Sequence, residues 1–333
     1  MNYTIKDVAK KARVSIATVS RVLNNKDRVK KETRQQVLAA AKELNYVTNF
    51  AGKTLRKSRT NMIGVIVPNV ATSFYGEIIK GIENKASEFD LRVIVCDSEY
   101  RVERERDFIR FLYNHSVDGM IFVLPRMPNK EFFKTREKRK SFVVFGRNME
   151  QYGISSITVD NIQGAQIAVR HLFSRGYKKI AFLSGISETD FCDRLERMDG
   201  FKQAVFECGL DLRPDYIETV NEEGVNKAFL RLMNLPEPPD AIFCGYDELA
   251  LEVLKSAQKK GIKIPDQVAL MGFDDIRICQ YTSPRLTTVK QPTYTIGRLC
   301  CEKLLAILND KQEEPNRNRN LLIRPELVIR DSC

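Results

Sequence analysis

Apolar residues near the start of the chain recur at helical spacing. Val8, Ala9 and Ala12 share one small face, and Thr4 with Asp7 three positions on has the pattern of a helix start, where side chains satisfy free backbone amides. Arg13-Val14 is a short connection. Ser15 caps a second helix over Ile16–Leu23 whose inward positions are Val19, Val22 and Leu23. A third helix over Glu32–Asn45 buries Val37, Leu38, Ala41 and Leu44. Three short helices with a tight turn after the first predict a helix-turn-helix unit.

From Met62 onward the pattern changes. Apolar, β-branched runs at Ile63–Val67, Val93–Val95, Met120–Val123, Phe142–Phe145, Ile180–Leu183, Ala241–Phe243 and Val268–Met271 read as strands. Amphipathic stretches at Tyr75–Phe89, Glu103–Asn114, Gln163–Phe173, Met198–Cys208 and Glu248–Lys259 read as the helices between them. This alternation predicts parallel sheets covered by helices on both faces. So long a segment is large for one sheet, which predicts two Rossmann-like halves with a ligand crevice between them.

Charge separates the same two regions. The chain has 333 residues and a formal net charge of +11. Residues 1–60 hold 15 Lys and Arg against four acids, so the remainder is balanced. A basic, apolar-patterned head on a neutral body predicts a polyanion partner for the head; a solvated basic tail would lack that periodicity. No apolar run reaches the ~18 residues of a membrane span, and the charged start has no secretory character, so a cytoplasmic protein without a membrane partner is expected. The eight cysteines form no C-x-x-C pair and read as free thiols. With two histidines and no G-x-S-x-G, H-E-x-x-H or G-x-G-x-x-G string, the sequence asks for no catalysis, no metal and no cofactor.

Specific strings carry a resemblance. They are Thr4-Ile-Lys-Asp-Val-Ala-Lys-Lys-Ala12, Val14-Ser15, Thr18-Val-Ser-Arg-Val-Leu-Asn24, Thr33-Arg34 and Leu44-Asn-Tyr46 in the head. The core adds Ile63-Gly-Val-Ile-Val-Pro68, Val117-Asp-Gly119, Val159-Asp-Asn161, Gly200-Phe201, Gly272-Phe-Asp-Asp275, Leu286-Thr-Thr-Val289 and Gln291-Pro292. In order and over the whole chain, the sequence resembles the LacI/GalR family of bacterial transcription regulators. The resemblance implies an α/β protein: an N-terminal helix-turn-helix DNA-binding domain (1–48), a hinge helix (49–60) and a periplasmic-binding-protein-like core (61–333). That core has two Rossmann-like lobes, expected at 61–160 with 291–320 and 161–290 with 321–333.

The resemblance places the second helix in the major groove. Ile16, Ala17, Ser20 and Arg21 lie opposite its inward positions. Arg21 suits bidentate bonds to guanine, worth ~1–3 kcal/mol of discrimination, while Ile16 and Ala17 suit a thymine methyl. Internal packing of Ile16 is the alternative. Ser15, with Ser20 and the helix N-terminal amides, suits phosphates, and Asn24 and Lys53 belong to the same expected DNA surface. Leu55 matches the family's minor-groove leucine wedge. Gly52-Lys53 stands where the family usually has Ala-Arg, and glycine weakens a helix by ~1 kcal/mol relative to alanine.

In the core, Arg197 and Asp274 match the family's ligand-clamping arginine and carboxylate, with a structural ion pair as the alternative. Phe74 and Tyr75 follow the first strand, where aromatics face either ligand or core. Tyr246 stands where sugar-responsive members carry Asn or Asp. Arg147 replaces a frequent Asp and, with Arg194 and Arg197, points toward an anionic ligand. No heptad segment follows the core, so a homodimer is expected rather than a tetramer. The resulting expectation is a repressor of carbohydrate-utilisation genes. It binds a pseudo-palindromic double-stranded operator and is switched by a sugar, sugar acid or sugar phosphate. The alternatives are the same architecture answering to a non-sugar or anionic corepressor, and an enzyme with a DNA-binding appendage.

Overall fold

The first helix, α1 (Ile5–Lys11), begins where Thr4 donates both its amide and its hydroxyl to Asp7 Oδ2 at 2.7 Å. These bonds hold the Asp7 carboxyl below its ordinary pKa. Arg13, at φ 49°, makes the turn, and Ser15 Oγ accepts from the Thr18 amide at 3.1 Å to cap α2 (Ile16–Leu23). Helix α3 (Lys31–Glu43) follows. Val8, Ala9, Ala12, Val19, Val22, Val37, Ala40 and Ala41 form the small core of this head. Leu38, expected inside, is 48% exposed. The buried stripe of α3 runs through Val37, Ala40, Ala41 and the half-buried Leu44, and Leu38 lies one step, about 100°, around the helix from it.

The structure, a computed structural model, describes residues 3–23, 29–46, 60–115, 117–136, 141–185, 192–220, 223–309 and 320–333. They fall into two compact units, Met1–Thr60 and Asn61–Cys333.

The second unit is built on two six-stranded sheets. The first comprises β1 (Met62–Val67), β2 (Arg92–Asp97), β3 (Gly119–Val123), β4 (Ser141–Phe145), β5 (Ser155–Val159) and β11 (Asn320–Ile323). Its order is β11-β5-β4-β3-β1-β2, parallel throughout. Helices α4 (Ser73–Ser87), α5 (Val102–Asn114) and α6 (Asn129–Arg136) link its strands. The second sheet comprises β6 (Ile180–Ser184), β7 (Ile217–Thr219), β8 (Ala241–Cys244), β9 (Ala269–Asp274), β10 (Thr287–Lys290) and β12 (Glu326–Val328). Its order is β12-β10-β9-β8-β6-β7, with only β12 antiparallel to its neighbour. Helices α7 (Asn161–Ser174), α8 (Cys192–Glu207), α9 (Val225–Met233) and α10 (Asp247–Lys260) accompany it.

The chain passes between the sheets three times: after β5, after β10, and between Ile323 and Glu326. The last passage corrects the expected division at 320/321, because Asn320–Ile323 pairs with Ser156–Val159 in the first sheet. Helix α11 (Thr293–Asn309), after the second passage, lies along α4 so closely that a Cβ on Gly81 would stand 2.1 Å from the Tyr294 carbonyl oxygen. One on Gly297 would stand 2.1 Å from that of Ile78. Among the described residues no helix is long and apolar enough to cross a membrane, and the cysteines are free thiols.

Candidate DNA-reading face and effector cleft

The head presents one face of α2. Val19 and Val22 are buried, whereas Ser15, Ala17 and Arg21 are exposed and Ser20 is half-buried. Ile16 is 46% exposed, so it does not pack internally. A guanidinium, an isoleucine and an alanine thus face outward together, beside helix N-terminal amides that suit a phosphate. Asn24, Lys53 and Leu55 lie outside the described residues.

In the core, the ends of β8 and β9 and the starts of α7 and α10 converge on one side chain of α8. Arg197 is 4% exposed. Its Nε donates to Asn161 Oδ1 at 3.0 Å and its Nη1 to the Gly245 carbonyl oxygen at 2.5 Å. Nη1 also lies 3.5 Å from Asp274 Oδ1, and Nη2 lies 3.8 Å from Asp193 Oδ2 one helical turn back. The guanidinium is seated 3.9 Å from the centre of the Phe273 ring, which supports it through a cation–π contact. Asn161 relays the group outward by donating to Glu196 Oε2 at 2.9 Å.

Asp274 is 6% exposed and stands at φ 122°, where β9 ends and the backbone leaves the strand. Gln291 Nε2 donates to its Oδ1 at 2.6 Å, joining it to the second passage. Burial pushes the Asp274 carboxyl well above its ordinary value; Arg197 opposes the shift, and Asp247 and Glu248 add to it. Asp247 is wholly buried, accepting from Thr288 Oγ1 at 2.6 Å and the Ile276 amide at 2.9 Å. Its pKa is pushed up to about 7, chiefly by burial. A Cβ on Gly272 would stand 2.1 Å from Asp247 Oδ1, which explains glycine at that strand position. Glu248 Oε1 is buried with no hydrogen-bond partner among the described residues.

Across from this group, the first lobe contributes the start of α4. Phe74 and Tyr75 are buried and meet edge to face with ring centres 5.2 Å apart. Burial raises the Tyr75 phenol far above its ordinary pKa, with Tyr100, Asp193 and Asp274 adding to the effect. A cavity of about 330 Å³ lies between the lobes here, lined by Phe74, Glu77 and Thr293 on one side, by Asp274 and Lys290 on the other, and by Gln291 on the passage between them. That volume suits a small organic ligand.

The predicted residues divide as follows. Asp274 and Phe74 line the cavity, Arg197 meets Asp274, Tyr75 packs edge to face on Phe74, and Tyr246 stands at the N-cap of α10, half-buried. Arg147 does not join them. Its Nη1 donates to the Met127 carbonyl oxygen at 2.7 Å and to Asn129 Oδ1 at 3.2 Å. It thereby anchors the β3–α6 connection beside buried Glu105, which accepts the amides of Arg126 and Met127 at 2.7 and 2.8 Å. The Arg194 side chain lies outside the described ones. Asn161, Asp193, Glu196, Glu248 and Gln291 were not picked out as site residues from sequence. The available signals were the motif strings that hold Asn161 and Gln291, and position: Glu248 follows a strand end, and Asp193 and Glu196 stand four residues and one residue before Arg197 on its helix.

This architecture, a helix-turn-helix head on a two-lobed α/β core with a polar cleft, defines a DNA-binding regulator that also senses a small molecule. The chain belongs to the LacI family of bacterial regulatory proteins. The profile of "Bacterial regulatory proteins, lacI family" matches residues 4–49, and that of the "Periplasmic binding protein-like domain" matches residues 169–333. The chain is 35% identical over 331 residues to the HTH-type transcriptional repressor CytR of Escherichia coli strain K12, covering 99% of this chain and 96% of that protein. Among solved structures it is similar to the Lac repressor bound to ONPG, with a TM-score of 0.86, 25% identity and full coverage of both chains. It is also similar to a complex of the transcriptional regulator CelR with cellobiose, with a TM-score of 0.72, 26% identity and full coverage of both chains. It is thus a transcriptional regulator with a DNA-binding and an effector-binding domain.

Proposed function

We propose that this regulator is a cytoplasmic, dimeric repressor of carbohydrate-utilisation genes that binds a pseudo-palindromic operator and is switched by a small sugar-like effector. The observation that carries the reading is the pairing, in one chain, of an outward α2 face (Ile16, Ala17, Arg21) with an interlobe cleft lined by Asp274, which buried Arg197 meets from behind. One head presents too few base-reading groups for tight, specific binding, so two heads on two half-sites supply the specificity. Ser15, Ser20, Asn24 and Lys53 hold phosphates in this reading. Residues 49–60 fold as a hinge helix on DNA, and Leu55 from each subunit enters the minor groove near the dyad.

The cleft supplies the switch. Phe74 and Tyr75 close one side, and Tyr246, Arg197 and Asp274 the other. A ligand that binds one lobe arrangement better than another shifts the hinge between paired and unpaired states. The ligand of CelR, a disaccharide, supports a carbohydrate effector.

Selection of bound fragments from random DNA tests the reading. The expected product is an inverted repeat bound by two copies of the chain, with affinity altered by a carbohydrate. A single half-site bound by a monomer, or no sequence preference, would overturn it.

A further inference from the structure

Resting on the reading of the interlobe cleft as the effector site, we infer that the effector carries an anionic group, a phosphate or a carboxylate, and that Lys290 and Arg277 hold it in place of the arginines the sequence pointed to. Those arginines are engaged elsewhere. Arg197 donates to Asn161 Oδ1 and the Gly245 carbonyl oxygen, and Arg147 to the Met127 carbonyl oxygen and Asn129 Oδ1. Neither lines the cavity. Lys290 and Arg277 do, both from the second lobe. The parallel register sets Lys290, at the end of β10, beside Asp274, at the end of β9, and Arg277 follows Asp274 by three positions in a short 3-10 turn (Arg277–Gln280). Both side chains are exposed, and neither has a hydrogen bond or ion pair among the described residues. On flanking elements the cations are paired: Arg285 with Asp331 at 2.6 Å, Lys85 and Arg298 with Glu88 at 3.0 and 2.9 Å.

The carboxyls of the same wall subtract little from this pair of charges. Asp275 accepts from Arg330 Nη2 at 2.6 Å. Asp274 accepts from Gln291 and stands beside Arg197, and burial pushes its carboxyl well above the ordinary value, toward the neutral form. Glu77, exposed, belongs to the opposite wall. The second-lobe wall therefore presents two positive charges without a counter-charge, and a cavity between low-dielectric walls strengthens their pull on an anion. The first lobe answers with hydroxyls. Ser73, Thr293 and Thr295 line the cavity from the first turns of α4 and α11, turns that hold no acidic residue. None of these three hydroxyls has a hydrogen bond among the described residues, so each is free to donate to an anion's oxygen. An anion held by cations of one lobe and hydroxyls of the other ties its binding to the lobe arrangement, as a switch requires.

Titration of the full-length protein by thermal shift and calorimetry against matched probes tests the assignment. The pairs are glucose with glucose 6-phosphate, glucose with gluconate, ribose with ribose 5-phosphate, and adenosine with adenosine 5′-monophosphate; inorganic phosphate is titrated alone. The expected result is one charged probe binding about tenfold tighter than its neutral match, the worth of a charge-assisted hydrogen bond, with gluconate separating carboxylate from phosphate. Lys290→Gln and Arg277→Gln should each weaken that probe about tenfold and leave its neutral match unchanged. Both side chains are exposed and unpaired, so these substitutions leave the fold intact. A neutral probe binding as tightly as its charged match, or an unchanged affinity in both variants, overturns the inference and leaves the cleft an effector site. Inorganic phosphate binding as tightly as the sugar phosphates places a free anion there and overturns its assignment to the effector. Binding by none of the probes overturns both readings.

Discussion

The head and the core solve the burial of polar groups in opposite ways. In the head the polar chemistry is outside: Arg21 and Ser15 are exposed, and eight small or β-branched residues suffice for a core. In the core the polar chemistry is inside. Arg197 on α8, Asp247 at the start of α10 and Asp274 at the end of β9 are buried, each held by named partners. An outward group acts on a large, rigid polyanion and needs only access. An inward group must select a small solute, and does so by removing water and fixing its own geometry first. The difference means that the head's base-reading side chains, Arg21 above all, are dispensable for folding and the core's buried polar groups are not.

The sharpest way to break that comparison is to remove one functional arginine from each. Arg197→Met should cost the core ~3–5 kcal/mol, because it strands the buried carboxylates of Asp193 and Asp274 and the Gly245 carbonyl. Chemical denaturation of the core transition measures it; a variant of unchanged stability would show that Arg197 serves the ligand alone. Gly272→Ala is next, at ~1–3 kcal/mol, since its Cβ meets Asp247 Oδ1 at 2.1 Å. Arg21→Ala should leave head stability within ~0.5 kcal/mol. Its operator discrimination should nonetheless fall by ~1–3 kcal/mol, read as relaxed preference at one base pair per half-site.

A capping carboxyl of the head and a buried one of the core shift in opposite directions. Asp7 in the head has a lowered pKa, so its contribution is present at neutral pH and is lost as pH falls through the folded value. Asp247 in the core is raised from 3.8 to about 7 by burial, so the folded core binds the extra proton. Its contribution is complete below about pH 4 and is lost as pH rises through about 7. Other carboxyls superimpose on this profile, so the diagnostic is a difference: Asp247→Asn should flatten the decline of the core's thermal midpoint between pH 5 and pH 8, and an unchanged slope would assign it to other groups.

How much was legible follows from the same contrast. The spacing of Thr4, Asp7, Val8 and Ala12, and of Ser15, Val19 and Val22, fixes the head because helices there are short, local and amphipathic. All seven strands named from apolar runs exist. The strands that pattern reading passed over are short or polar: Ser155–Val159, Ile217–Thr219, Thr287–Lys290, Asn320–Ile323 and Glu326–Val328. Several are edges or passages whose pairing partners lie far away in sequence, and β11 meets β5 across 164 positions, about half the chain. The cleft shows the same limit. Asn161, Asp274 and Gln291 stand in the quoted motifs, but their meeting with Arg197, and that of Glu248, comes only through separate strand ends that the fold brings together. Arg147 shows the reverse limit: a strand end suits a ligand contact, and only the fold shows its guanidinium held by the Met127 carbonyl.

The smallest expected effects test whether the head's simplicity is real. Ser15→Ala removes the acceptor of the Thr18 amide and should cost the head ~1 kcal/mol, the usual worth of an N-cap. Leu38→Gln should change head stability by less than ~0.5 kcal/mol, because that side chain lies off the Val37–Ala40–Ala41 stripe and half in solvent. Adjacent Val37→Ala, fully buried, should cost several times more, at ~0.8 kcal/mol for each methylene-sized group removed plus the cavity left behind. Thermal unfolding of the full chain, followed through the head's own transition, orders the three. If Leu38→Gln proves as damaging as Val37→Ala, then Leu38 is covered in the folded protein and the helical period of α3 alone does not decide what the head buries.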